Sequence, residues 1–195
     1  MPPKSKFTKE EIVAVALDVA ENDGIGALTA RTLGSALGSS ARPIFTVFNS
    51  MEEVMSEVIR AAKELYARYV DEGLHERLAF KGVGKAYIRF AAEHPKLFTL
   101  LFMSEAEKIP DLSSVLYVID GSAEKILGSI VSEYGLERQA AQKLYLNMFI
   151  YTHGIAVLIA TKVCEFSADE ISEMLTEIFT GMLKQIKSGD EANKA

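Results

Sequence analysis

Cysteine is almost missing from the sequence: Cys164 is the only one among 195 residues. An intramolecular disulfide framework and a thiolate zinc cage are therefore excluded, and the composition fits a reducing compartment. Tryptophan is absent, proline occurs five times, and no repeat or low-complexity tract is present, which rules out collagen-like and disordered chains. Of the three histidines, His75, His94 and His153, no two share a metal-ligand spacing, so no metal is expected. Long hydrophobic runs are lacking too. The most apolar stretch, Leu144 to Ala160, is interrupted by Asn147 and His153 and falls short of the ~20 residues that cross a bilayer. A buried helix is expected there, and no membrane partner. Met1 to Phe7 carries Lys4 and Lys6 without an apolar core behind them, so no secretory signal is expected and the cytoplasm is the expected compartment.

Positive charge is in deficit: 21 Lys and Arg against 27 Asp and Glu give a formal net charge of −6. That balance excludes a protein that coats nucleic acid non-specifically, because phosphate binding draws on lysine and arginine. The deficit is uneven. Between Asp23 and Glu52 there is no acidic residue at all, whereas Arg31 and Arg42 both lie there, with Lys4, Lys6 and Lys9 just upstream. A local DNA-binding surface is not excluded by the net charge, and that window is where one would lie.

What is present is a soluble globular composition, 49% hydrophobic and 25% charged, with apolar residues recurring at spacings of three and four and almost no alternation, so the chain is expected to be all-α. Thr8 with Glu11, Ser50 with Glu53, and Ser167 with Glu170 read as capping boxes at three helix starts. The first helix is expected over about Lys9 to Asn22, burying Ile12, Val15, Ala16 and Val19, with Gly24 as a left-handed stop. Thr29 caps a short second helix carrying Leu33 and Leu37. Gly38 ends it, and Ser39 or Ser40 caps a third through Val47. Propensity opposes that third helix, since Ile44 to Phe48 are all β-branched or aromatic. Ile44 and Phe48 nonetheless lie four apart on one helical face, and Pro43 falls in the first turn, where amide donors are orphans anyway.

Further helices are expected from Ser50 to about Tyr69 with Gly73 as breaker, His75 to Glu93, and Lys96 to Met103. A polar loop over Ser104 to Asp111 precedes a helix or helix pair from Leu112 to Tyr134, with Gly121 as a break and Gly135 as its stop, followed by Glu137 to Val163 and Ala168 to about Lys187. The total is about nine helices, with a frayed tail from Ser188. Three short helices with glycine-marked turns have the order of a helix-turn-helix unit, although such units also serve as plain packing modules.

Asn22, Asp23, Gly24 and Ile25, then Leu28, Thr29, Arg31, Leu33, Leu37 and Gly38, and finally Ile44, Phe45, Phe48, Ser50, Glu52, Glu53 and Val54 form a pattern over about Thr8 to Glu57. It resembles the amino-terminal motif of the TetR/AcrR-like transcriptional regulators. The resemblance implies a helix-turn-helix DNA-binding domain over residues 1–50 and a helical ligand-binding and dimerisation domain over 51–195. It implies phosphate contacts by Thr29 and Arg31, and a recognition surface of Ser40, Ala41, Arg42, Pro43, Phe45, Thr46 and Val47. Arg42 is the best base reader, since a bidentate guanine contact is worth roughly 1–3 kcal/mol of discrimination. Two positions depart from the family pattern: Phe45 stands for the usual tyrosine and Met51 for the usual lysine, so two customary phosphate contacts are lost. The amides that open the helix after Ser50 are expected to offer a phosphate site instead. Gly34, commonly alanine in the family, reads as a packing glycine.

The resemblance also implies a homodimer through the last two helices, acting as a ligand-responsive repressor on a palindromic operator, with half-sites roughly 34 Å apart. The stripes from Leu144 to Val163 and from Ile171 to Ile186 suit that bundle. A small apolar effector would be lined by Phe98, Phe102, Met103, Tyr117, Tyr145, Phe149 and His153. No cofactor and no catalytic residue is expected: Glu72 with His75 is a lone Glu-x-x-His pair, and Gly84-Lys85 lacks the rest of a phosphate loop. The alternative is an all-helical small-molecule-binding protein or enzyme whose three-helix head only packs.

Overall fold

The computed structural model describes residues 6–105, 116 and 121–192. Among them are eight α-helices and two short 3-10 helices, and no strand. The α-helices are α1 (Lys9–Asp23), α2 (Ala30–Ala36), α3 (Met51–Leu74), α4 (Ala79–Glu93), α5 (Pro95–Phe102), α6 (Ala123–Tyr134), α7 (Arg138–Ala160) and α8 (Ala168–Ala192); the 3-10 helices span Ile25–Ala27 and Ile44–Thr46. Most of the predicted Ser104 to Asp111 loop and the start of the helix predicted from Leu112 lie outside the described residues.

Contacts divide the chain into two compact units, Met1–Tyr66 with His94–Glu105, and Ala67–Glu93 with Ala106–Ala195. In the first, α1 packs against α2 and α5. The Thr8–Glu11 box opens α1 as predicted, the Thr8 amide donating to Glu11 at 2.8 Å and the Glu11 amide to the Thr8 hydroxyl at 3.1 Å. The buried face of α1 is Ile12, Val13, Ala16 and Ala20, one position round from the predicted face. Val15 and Val19 are half-buried, and the alanines at 16 and 20 are buried in their place. Gly24 does have positive φ, 87°, but its ψ of 159° is extended. The predicted left-handed stop is corrected accordingly: the chain leaves α1 extended so that it can enter the 3-10 helix at Ile25. The proline-initiated α5 buries Leu97 and Phe98 fully, Phe102 packs edge-on to Tyr66 with centroids 4.9 Å apart, and His94 Nδ1 sits 2.5 Å from the Glu21 carboxylate.

In the second unit α4 packs against α7 and α6, and α7 against α6 and α8. Gly73 was expected to break a helix, but α3 runs through it to Leu74. A Cβ on Gly73 would stand 2.7 Å from the Gly82 carbonyl carbon, and one on Gly82 would run into the Gly73 carbonyl oxygen. Both positions are glycine because α3 and α4 cross backbone to backbone there. Gly135 stops α6 in the left-handed region, φ 65° and ψ 34°, as its sequence position predicts. The Ser167–Glu170 box opens α8, which continues to Ala192, beyond the end predicted near Lys187. By length and composition α7, with 23 residues, is long and apolar enough to cross a membrane, longer than the apolar run alone suggested. In this fold it is a packing helix that buries Ala141, Leu144, Tyr145, Met148, Thr152, Ile155 and Ala156.

Candidate DNA-recognition surface

The acid-free window folds into α2, a turn and a one-turn 3-10 helix. Thr29 caps α2 by accepting from the Thr32 amide at 3.1 Å, and the Thr32 hydroxyl accepts from the Thr29 amide at 2.9 Å. A threonine thus completes the box that a carboxylate usually closes, which keeps this helix start free of negative charge. Arg31 projects from its second position, exposed.

The predicted α-helix from Ser39 or Ser40 through Val47 is not an α-helix. Turns precede a 3-10 helix over Ile44–Thr46, built by Ile44 donating to Ala41 at 3.1 Å, Thr46 to Pro43 at 3.2 Å and Val47 to Ile44 at 3.0 Å. One wider bond, Phe48 to Ile44 at 2.9 Å, joins it to the next segment. The physical reasons are in the sequence: Pro43 supplies no amide, and five consecutive β-branched or aromatic residues disfavour a longer α-helix. The predicted sidedness is kept. Ile44 and Phe48 are buried, while Ser40, Arg42, Phe45 and Thr46 are exposed and Ala41, Pro43 and Val47 half-buried. The Thr46 hydroxyl donates to the Pro43 carbonyl at 2.6 Å. Arg31 and Arg42 make no ion pair among the described residues, whereas Lys9 is tied to Glu57 at 2.8 Å. Lys6 donates to the Ser39 hydroxyl at 3.2 Å.

The opening of α3 differs from the predicted phosphate site. Glu53 accepts from the Asn49 amide at 2.8 Å and from the Asn49 side chain at 3.0 Å, and its own amide donates to Ser50 at 3.3 Å. The carboxylate therefore serves Asn49 rather than Ser50. The Ser50 hydroxyl holds the neighbouring Glu52 carboxyl below the ordinary carboxylate range. Two carboxylates at this helix start complement its dipole and oppose an incoming phosphate. Met51 is half-buried and Phe45 is 48% exposed, so the two departures from the family pattern leave an apolar ring facing solvent.

The predicted effector-lining residues fall in both units. Phe98, Phe102 and Met103 belong to the first unit and Tyr145, Phe149 and His153 to the second, while Tyr117 lies outside the described residues. In the second unit Tyr145 packs edge-on to Phe80, and His153 stacks on Phe149 with centroids 5.6 Å apart and lies 2.8 Å from the Tyr87 hydroxyl through Nδ1. Burial holds the His153 imidazole below its ordinary pKa. Sequence reasoning missed a cleft of about 1020 Å³ in this unit. The end of α3, one face of α4 and the α7–α8 connection line it, with Ile88, Arg89, Ile159, Lys162, Phe166 and Ile171 among the lining residues. Its local signal is faint: Lys162 occupies the left-handed position, φ 57°, that closes a helix C-terminus and that glycine normally fills.

Comparison with known proteins agrees with this architecture. Residues 80–185, more than half of the chain, match the Tetracyclin repressor-like, C-terminal domain. The chain is 22% identical over 183 residues to the uncharacterized HTH-type transcriptional regulator YobS of Bacillus subtilis, covering 92% of this chain and 93% of that protein. It is 24% identical over 195 residues to the uncharacterized HTH-type transcriptional regulator Rv0681 of Mycobacterium tuberculosis, covering 97% and 88%. With its helical C-terminal region matched by the family and its helix-turn-helix window folded ahead of it, the chain belongs to the TetR family of HTH-type transcriptional regulators, not to a class of enzymes.

Proposed function

We propose that the protein is a ligand-responsive repressor that binds a palindromic operator as a homodimer in the cytoplasm. The recognition segment over residues 41–47 enters the major groove, Arg42 reads a base edge, and Thr29 and Arg31 hold the backbone. The observation that carries this reading is the acid-free stretch of chain in which Arg31 and Arg42 stand exposed without ion-pair partners among the described residues. Ser40, Ala41, Pro43, Phe45, Thr46 and Val47 complete the contact face, with the Phe45 ring and Val47 suited to a thymine methyl. The repressor assignment follows the description of the matched C-terminal domain.

The dimer reading is supported by what α7 and α8 leave uncovered. Among the described residues of α8 only Leu175 is buried, and Ile171, Met174, Ile178, Met182, Leu183 and Ile186 stay half-exposed. On and just after α7, Ile150 is 55%, Leu158 38% and Val163 72% exposed. Two helices with unpartnered apolar faces suit a four-helix bundle with a second copy. The effector is assigned to the second unit, at the cleft beside Phe166, whose mixed apolar and charged lining fits an amphipathic small molecule. Binding shifts the population towards a spacing of the two recognition segments that DNA rejects. Selection from random duplexes together with sedimentation tests the reading. A two-fold symmetric consensus bound by a dimer is expected, and a monomer without sequence preference would overturn it.

A further inference from the structure

Gly34 lies inside α2 and is buried. A Cβ there would stand 2.9 Å from both the Ala41 nitrogen and the Ser40 carbonyl carbon, and 3.2 Å from the Ala41 Cα. All three are backbone atoms, so no side-chain rotation relieves the approach. Apolar contacts between carbon atoms normally settle at about 3.5–4.0 Å. In this arrangement the chain entering the recognition segment is therefore laid against the α2 backbone more closely than a Cβ at position 34 allows unless the backbone shifts. The exposed groups of the surface stand on both sides of this contact. Thr29 and Arg31 ride on α2, and Arg42, Phe45 and Thr46 follow immediately after Ala41. Gly34 is itself buried; what it fixes is the offset between the two groups.

We propose that Gly34 is a positioning residue for DNA recognition: the missing Cβ sets how far Arg42 is recessed relative to Arg31, and thereby which base step Arg42 reaches when Arg31 holds its phosphate. This proposal rests on the DNA-binding reading above. A segment lifted by roughly the missing contact distance would keep its phosphate grip and lose its base register, because phosphate contacts carry little sequence information whereas a bidentate base contact tolerates little displacement.

The test uses the full chain. Wild type, Gly34→Ala and the control Val13→Ala are each taken through selection from random duplexes. Affinities are then measured for the wild-type consensus and for a scrambled duplex. Val13 is buried in α1 of the same unit and stands outside the proposed contact face, so its truncation weakens packing without touching that offset. The expected result is that Gly34→Ala binds the scrambled duplex as wild type does but loses about tenfold or more on the consensus, or returns a different consensus, while Val13→Ala keeps the wild-type ratio. A Gly34→Ala protein with the wild-type ratio and consensus overturns the proposal. So does a Gly34→Ala protein whose head is unfolded, since residue 34 would then act on folding alone. Independently of any variant, a nuclear Overhauser contact between the Gly34 α-protons and the Ala41 amide is expected in the wild type, and its absence overturns the proposal. If wild type itself selects no sequence, the DNA-binding reading fails instead, and the Overhauser contact still reports on the packing.

Discussion

Adding one methyl group to Gly82 is expected to destabilise the protein, and adding the same group to Gly128 to stabilise it, although both sit inside helices. Glycine-to-alanine in a helix interior gains about 1 kcal/mol from backbone entropy and propensity. At Gly128, in α6, no described residue lies within 4 Å of an added Cβ, so that gain stands alone. At Gly82 the new atom would collide with the Gly73 carbonyl oxygen, and the reciprocal Cβ on Gly73 would come within 2.7 Å of the Gly82 carbonyl carbon. Ordinary contact needs about 1 Å more. Both partners are helix backbone, so α3 and α4 must part, and overpacking of this kind costs about 1–3 kcal/mol. With a rigid obstacle the upper end applies, leaving a net loss of about 2 kcal/mol and a gap of about 3 kcal/mol between the two variants. In thermal unfolding that gap is roughly 6–12 °C for a chain of this length. Denaturant titrations at one fixed protein concentration measure it, since self-association would otherwise shift the midpoints. Equal stabilities for Gly82→Ala and Gly128→Ala would refute the backbone crossing.

Lys162→Gly relieves a left-handed lysine, φ 57°, and is expected to stabilise by about 0.5–1 kcal/mol once the greater freedom of glycine in the unfolded chain is subtracted; a loss of stability in urea would contradict that. Truncating the fully buried Phe98 to alanine should cost about 3–5 kcal/mol and loosen α1, against which α5 packs. Amide exchange would show this as early opening of residues 9–23, and unchanged protection there would count against α5 as part of the first unit. Burial lowers the His153 pKa in the folded state, so the unfolded chain takes up a proton first as pH falls below about 6.5. The stability present above that pH is therefore lost on acidification towards the folded pKa. His153→Gln should flatten this part of the stability profile, and an unchanged slope would show that His153 is not its source.

Local signals were the legible ones. Thr8 with Glu11, Ser167 with Glu170, Thr29 and Gly135 mark helix ends through bonds within a few residues, and the described helices start or stop at them. Gly73 misled because its helix-breaking tendency is local, whereas its place in α3 depends on Gly82 in the next helix. The segment over residues 41–47 was legible in which side chains face inward but not in its winding, because a four-residue spacing of Ile44 and Phe48 is compatible with a short 3-10 turn as well as an α-helix. The grouping of α5 with the first unit was not legible at all. It rests on contacts such as Tyr66 with Phe102 and Glu21 with His94, between positions far apart in sequence with no periodicity linking them. The residues proposed to face DNA were reached through a charge pattern and a family resemblance; the cleft, lined by three separate stretches of chain, left only the mark at Lys162.

The central claim, that the exposed arginines divide into a base reader and a phosphate clamp, is tested most directly by fluorescence anisotropy on the selected duplex. Wild type, Arg42→Ala and Arg31→Ala are compared across a salt series, each against matched and scrambled DNA. Arg42→Ala should lose about 1–3 kcal/mol on the matched duplex only, and Arg31→Ala should weaken both duplexes alike and lower the salt slope by about one. Binding by both variants indistinguishable from wild type would contradict the account.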